Sequence, residues 1–152
     1  MDIELVDVTA ANWREVAAVT PHPDQQRFVA TTTYYLCLCH YGGQWSPLAV
    51  VGDGAAVGFV MWAEDTDESR WIGGLVVDAT AQRQGVGRAA VQIMLDRFAA
   101  EPDCHEAALS YQPQNLAAQM CVSNDPHHSW GSSRGQWNNG ANDGFVKVHQ
   151  AD

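Results

Sequence analysis

Two apolar runs, Pro47-Leu48-Ala49-Val50-Val51 and Ala55-Ala56-Val57-Gly58-Phe59-Val60-Met61-Trp62, flank the tripeptide Gly52-Asp53-Gly54. Asp-Gly accepts the left-handed backbone that a tight two-residue turn demands, and the twist of such a turn matches that of paired strands, so the segment reads as a β-hairpin. A third run, Trp71-Ile72-Gly73-Gly74-Leu75-Val76-Val77, follows a short acidic connection holding Glu64, Asp65, Asp67 and Glu68. Connections this short join antiparallel neighbours, which predicts a three-stranded meander.

After the third run the period changes. Over residues 85–100, Val91, Met94, Leu95 and Phe98 fall on one helical face, with Arg88, Gln92, Asp96 and Arg97 elsewhere. Glu101-Pro102-Asp103 ends that helix. Ahead of the meander, Ile3-Glu4-Leu5-Val6-Asp7-Val8 alternates as a half-buried strand, and Thr9 is placed to cap a helix over residues 10–19 that Pro21-His22-Pro23 stops. A short helical turn is expected at 24–29 and a second helix at 32–40, ended by Tyr41-Gly42-Gly43. Beyond the long helix, residues 107–111 read as a strand and 115–120 as the start of another helix, after Pro113.

The length of 152 residues suits one domain, and 46% hydrophobic content with six Trp supplies a core. Residues 122–152 depart from this. They are rich in Gly, Asn and Ser, and apolar patterning returns only at Phe145-Val146-Lys147-Val148. The expected division is a folded unit over 1–121 and an atypical tail over 122–152, disordered or contributing a late strand.

Eight Lys+Arg against eighteen Asp+Glu give a formal charge of -10 and a pI near 4.8. This balance argues against a nucleic-acid binder held by phosphate contacts and favours attraction of cationic small molecules. No stretch approaches the roughly 20 apolar residues of a membrane span, and Met1-Asp2-Ile3-Glu4 lacks a basic leader, so the expected location is the cytoplasm. Four cysteines, two of them in Cys37-Leu38-Cys39-His40, show neither metal-ligand nor redox spacing and are expected as reduced, buried thiols. His127-His128 has no spaced partner, so no metal is expected.

Gln82-Arg83-Gln84-Gly85-Val86-Gly87-Arg88 lies between an apolar strand and an amphipathic helix. Backbone N–H groups and the helix dipole converge there, the glycines permit close approach, and Arg83 and Arg88 bring positive charge to an otherwise acidic chain. The alternative is a tight strand-to-helix turn in which Gly only permits packing. A Rossmann site is disfavoured by the glycine spacing and by the hairpin context of the strand, and a Walker loop lacks its Gly-Lys-Ser/Thr.

Gln82-x-x-Gly85-x-Gly87 after Leu75-Val76-Val77-Asp78 resembles the acetyl-CoA pyrophosphate loop of the GNAT N-acetyltransferase superfamily, and Ser110-Tyr111-Gln112-Pro113-Gln114-Asn115-x-x-Ala118 resembles its next strand and helix start. The N-terminal half, with Asn12-Trp13, Asp24-Gln25-x-x-Phe28-Val29, Pro47-Leu48-Ala49-Val50 and Val57-Gly58-Phe59-Val60-Met61, is similar to bacterial spermine/spermidine-type acetyltransferases. The likeness spans residues 3–119. It implies an α+β, GNAT-like fold with a mixed, mainly antiparallel sheet and flanking helices, and with the C-terminal hairpin altered or missing.

The implied cosubstrate is acetyl-CoA, clamped where two strands splay apart. The backbone of Leu75, Val76 and Val77 would pair with pantetheine. That of Arg83, Gln84, Gly85, Val86, Gly87 and Arg88 would hold the pyrophosphate, with Gln82, Ala89, Asn115 and Ala118 completing the cofactor-binding set. A neutral amine then attacks the acetyl carbonyl, which requires removal of an ammonium proton and an acid for the departing thiolate.

The family's usual acid is a Tyr in the helix that Asn115 begins, and the matching residue is Val122. Three accounts stand: an insertion before a late strand at residues 144–148, a shift of reading frame, or a variant that binds CoA without transfer. Tyr111 is the candidate substitute donor. Asp78 reads as a cap for the turn in preference to a base, and the acidic run 64–68 as a solvated loop in preference to a polyamine guide. The leading function is N-acetyl transfer to a primary amine of a small cationic substrate, a polyamine favoured. The alternative is a non-catalytic acyl-CoA-binding or dimerising module, and open strand edges would favour a homodimer.

Overall fold

The computed structural model describes residues 1–66, 68–111, 130–136 and 144–150. Seven strands form one sheet: β1 (Ile3–Asp7), β2 (Ser46–Gly52), β3 (Ala55–Glu64), β4 (Arg70–Val77), β5 (Glu106–Tyr111), β6 (Trp130–Gln136) and β7 (Gly144–Gln150). Their spatial order is β1-β2-β3-β4-β5-β7-β6. Three helices accompany them: α1 (Trp13–Ala17), α2 (Thr32–Gly42) and α3 (Val86–Ala99), with 3-10 turns at Pro23–Gln25 and Ala79–Ala81.

The expected meander is β2, β3 and β4, all antiparallel. Its first turn pairs Gly52 with Ala55 across Asp53 (φ 51°) and Gly54 (φ 80°), the left-handed pair that Asp-Gly supplies. Among the described residues only β4 and β5 run parallel, and α3 makes the crossover between them.

Alternation along the strands assigns the two faces of the sheet. Leu5, Leu48, Val50, Val60 and Ile72 pack with Ala90, Val91, Met94, Leu95 and Phe98 of α3. Ala49, Phe59 and Met61 point the other way, into a cluster with Val16 of α1 and with Tyr35, Leu36, Leu38 and Cys39 of α2. The apolar face expected for α3 is the face it buries: Val91, Met94, Leu95 and Phe98 are each 3% exposed or less. Burial on that scale is worth about 1.5–3 kcal/mol for each large side chain.

Two local expectations need correction. The first helix begins at Trp13, because Asn12 Oδ1 accepts the Thr9 N–H (2.7 Å) and Asn12 Nδ2 donates to the Asp7 carbonyl (2.9 Å); this side-chain turn delays the helix. The thiols are free but not uniformly buried: Cys104 is buried, Cys39 half-buried and Cys37 exposed on α2. The C-terminal hairpin, expected to be altered or missing, is seen as strands β6 and β7. Residues 130–136 and 144–150 pair antiparallel from Trp130↔Gln150 to Gln136↔Gly144, and β7 also pairs with β5. A C-terminal pair of strands is therefore present and extends the sheet. The helix expected at 115–120 lies outside the described residues, as do His127, His128 and Cys121.

Arg70 opens β4 and is 5% exposed. It donates to Glu101 after α3 and to the Glu68 carbonyl, with Glu64 at 3.3 Å. The acidic connection is thus tied down at its base, while Asp65 and Thr66 are exposed in the loop.

Candidate functional site

β4 and β5 are paired only at Arg70↔Ala107, Trp71↔Ala108 and Ile72↔Leu109. Both strands continue past that register, β4 to Val77 and β5 to Tyr111, without further pairing to each other. The sheet therefore opens between them toward their C-terminal ends. Leu75, Val76 and Val77 lie along one side of the opening and Tyr111 at the end of the other.

The departure begins at an irregularity in β4. Val76 faces Phe59 and Gly73 faces Met61, so Gly74 and Leu75 together oppose the single residue Val60. Gly74 carries the left-handed backbone of this bulge (φ 58°), and a side chain there would meet Met61 at 3.1 Å. The bulge bends the strand where it leaves β5. Gly73-Gly74 inside an apolar strand is the sequence signal that could have exposed it.

Backbone direction distinguishes the three residues of the opening. The Asp78 N–H bonds the Val57 carbonyl of β3. By alternation the backbone of Val76 also faces β3, whereas that of Val77 faces the opening. There the Val77 carbonyl accepts from Gln82 Nε2 at 3.0 Å.

The segment from β4 to α3 is a built turn. Asp78 caps the 3-10 turn Ala79–Ala81, accepting the Thr80 N–H (3.2 Å) and hydroxyl on one oxygen and the Thr20 N–H (3.0 Å) on the other. Partial burial alone would raise its pKa; the bonds from the Thr80 hydroxyl and from the Thr20 and Thr80 N–H groups outweigh it and hold the carboxyl below its ordinary value. A carboxylate committed in this way is a cap, as its position in the sequence suggested. Gln82 bonds Gln25 Oε1 at 2.6 Å as well as Val77. Arg83 (φ 63°) and Gly85 (φ 77°) then turn left-handed, and α3 starts at Val86.

Gly85 occupies the cap position with no side chain to satisfy the helix. The first helical bond runs from the Ala89 N–H to the Gly85 carbonyl, so the N–H groups of Val86 and Gly87 have no carbonyl within the helix. A Cβ on Gly85 would meet nothing within 4 Å. The space before the helix end is open, and the side chains of Arg83 and Arg88 beside it are exposed. An open, positively flanked helix N-terminus on a well-anchored turn suits a phosphate or another compact anion.

Leu75, Val76, Val77, Gln82, Arg83, Gln84, Gly85, Val86, Gly87, Arg88 and Ala89 thus run from the unpaired end of β4 through the turn into α3, with the backbone of Val76 turned to β3. Asn115 and Ala118 lie outside the described residues. Tyr111 ends β5 opposite Gly144 of β7. Two contributors escaped the sequence, Thr20 and Gln25, both from the connection between α1 and α2. Among the described residues no group of His, Cys, Asp or Glu could hold a metal ion, and no helix is long and apolar enough to cross a membrane.

Comparison with known proteins accords with this geometry. The Acetyltransferase (GNAT) family matches residues 9–121. No curated protein matches the chain. Among solved structures, the aminoglycoside acetyltransferase AAC(6')-Ib in complex with coenzyme A is 14% identical with a TM-score of 0.77, covering 98% of this chain and 95% of that one. RimL, a ribosomal L7/L12 alpha-N-protein acetyltransferase in complex with coenzyme A, is 16% identical with a TM-score of 0.70, covering 99% and 96%. The ribosomal-protein-S18-alanine N-acetyltransferase from Escherichia coli is 15% identical with a TM-score of 0.66, covering 99% and 96%. At these identities the structural likeness is one of fold.

Proposed function

The chain belongs to the GNAT acetyltransferase family, and from that premise we propose that it transfers the acetyl group of acetyl-CoA to a primary amine of a small cationic substrate in the cytoplasm, a polyamine being the favoured class. The observation that carries the reading is the convergence of two features on one opening: β4 leaving β5 after Ile72↔Leu109, and the uncapped start of α3 behind the left-handed Arg83 and Gly85. A long cosubstrate needs both, a cleft for its arm and donors for its phosphates. Structural neighbours of this fold were solved with coenzyme A. The preference for a cation rests on the net charge of -10.

Acetyl-CoA would supply a thioester carbonyl as electrophile and a thiolate as leaving group. The chain's part is placement and proton handling. Outward-facing backbone of β4 at Val77, with Leu75 and Val76 beside it, would align the arm, and the N–H groups of Val86 and Gly87, with Arg83 and Arg88, would hold the pyrophosphate. A nitrogen–carbon bond forms and the carbon–sulfur bond breaks; the ammonium gives up two protons on the way to the amide, one released to solvent and one taken up by the departing sulfur. Tyr111, past the last β4–β5 pair, is the residue of the opening that could give the sulfur its proton.

Calorimetric titration with acetyl-CoA, followed in the same preparation by thiol release with spermidine, tests this. Binding with turnover is the expected result. Turnover with another small amine only would overturn the polyamine preference, binding without any turnover would make the chain a CoA-binding module, and absence of binding would overturn the cofactor assignment.

A further inference from the structure

The turn that precedes α3 is held partly from outside itself. Its own residues supply the Asp78 cap and the Gln82 bond to Val77. The remaining ties come from the α1–α2 connection: the Thr20 N–H to Asp78 Oδ1 (3.0 Å), the Ala79 N–H to the Thr20 carbonyl (2.8 Å), and Gln82 Nε2 to Gln25 Oε1 (2.6 Å). That connection is itself fixed, because the buried Thr32 hydroxyl at the start of α2 donates to the Val19 carbonyl at 2.9 Å.

Gln82 is the last residue before the left-handed pair. Its two amide hydrogens are divided between the Val77 carbonyl and Gln25, and this division fixes the rotation of its side chain and with it the direction in which the backbone enters Arg83. Arg83 is a non-glycine residue at φ 63°, a strained conformation that persists only where its surroundings impose it. Without the Gln25 oxygen, Gln82 retains one of its two anchors and Arg83 can relax toward ordinary backbone.

We propose that Gln25 is a positioning residue for the anion-binding turn: through Gln82 it holds Arg83 and Gly85 left-handed, so that the first N–H groups of α3 stay aimed at the pyrophosphate. This rests on the reading of the turn as a CoA site. It makes the α1–α2 connection part of the cofactor machinery although Gln25 touches no part of the pyrophosphate.

Titration of the full chain with CoA tests the proposal, using Gln25→Met, which keeps the length of the side chain and removes the acceptor, together with Gln82→Met and the double variant. Acetyl-pantetheine, which carries the thioester and no phosphate, is titrated in parallel by ligand-observed NMR. Gln25→Met is expected to weaken CoA roughly three- to tenfold, the range of one lost hydrogen bond. Acetyl-pantetheine affinity is expected to stay the same, and adding Gln25→Met to Gln82→Met to cost nothing more. Unchanged CoA affinity in Gln25→Met overturns the proposal, as does an equal loss for both ligands or additive losses in the double variant. A wild-type chain that does not bind CoA overturns the functional reading itself, and the proposal with it.

Discussion

Arg70 and Glu101, 31 residues apart in sequence, close two hydrogen bonds on one carboxylate oxygen, from Nε at 3.0 Å and from Nη2 at 2.6 Å. The guanidinium is almost fully buried, with 6% of its side chain exposed, against 41% for Glu101 and 54% for Glu64. The contact lies at the closed end of the β4–β5 opening, where Arg70 pairs with Ala107.

Removal of Glu101 leaves a buried cation short of its main partner. Complete loss of a buried pair costs about 3–5 kcal/mol, and the exposure of Glu101 reduces that, so Glu101→Ala is expected to lower the unfolding free energy by about 2 kcal/mol. Glu64→Ala, which removes a single 3.3 Å contact with a more exposed carboxylate, is expected to cost less than about 0.5 kcal/mol. Urea denaturation of the two variants measures the difference directly; equal losses would mean that the two-bond geometry carries no special weight.

Gly85 and Gly54 form a matched pair for testing the site. Both are left-handed, at φ 77° and 80°, and a Cβ on either meets nothing within 4 Å. Substitution by Leu should therefore cost each about 1–2 kcal/mol of stability from backbone strain. Only Gly85→Leu projects a side chain into the space before α3, and its CoA affinity is expected to fall below detection while that of Gly54→Leu stays at the wild-type value. Calorimetry on both proteins checks this; equal affinities would place CoA elsewhere.

Asp78 links stability to acid. Its pKa in the folded chain is lowered from the ordinary value of 3.8, against the effect of burial, by its bonds to Thr80 and Thr20. A lowered carboxyl stabilises the fold fully above the unfolded value and loses that contribution as pH falls through the folded one. The stability of Asp78→Asn relative to wild type should therefore be constant from neutral pH down to about 5 and the gap should narrow below 3.8. Thermal unfolding midpoints across that range provide the check, and a gap that widens with acid would reverse the sign.

The cysteines should separate by reactivity. Burial pushes the Cys39 thiol up to about 11 and raises that of Cys104, whereas Cys37 is exposed on α2. At pH 8 a thiol of that pKa is ionised in only about one molecule in a thousand. Brief iodoacetamide treatment followed by peptide mass spectrometry should label Cys37 and spare Cys39 and Cys104. Label on Cys39 at the rate of Cys37 would mean that α2 opens from the sheet.

Where local chemistry decides conformation, the sequence was a sufficient guide. Asp53-Gly54 specified its turn, the spacing of Val91, Met94, Leu95 and Phe98 specified the face of α3, and Gly43 ends α2 in the left-handed form that Gly supplies (φ 77°). The turn between β4 and α3 was legible as a turn because its glycines are contiguous with the start of an apolar helical period. Thr20 and Gln25 were not, since they reach residues 57 or 58 positions away and carry no local pattern. Nor was β6, whose Trp-Gly-Ser-Ser-Arg-Gly-Gln offers no alternation and which is defined by its register with β7. Nor does the sequence mark Arg70 as buried. Its burial depends on Glu101, at the far end of a helix.

The bond from Gln82 to the Val77 carbonyl gives the opening a one-sided polarity. The acceptors nearest the mouth are already spent on the protein: Val77 on Gln82, the Asp78 carboxylate on Thr20 and Thr80. Among the described residues, the Val77 N–H and the N–H groups at the start of α3 face the opening, with the exposed Arg83 and Arg88 beside them. Donors of this kind favour ligand carbonyls and phosphates, against the background of a chain whose formal net charge is -10.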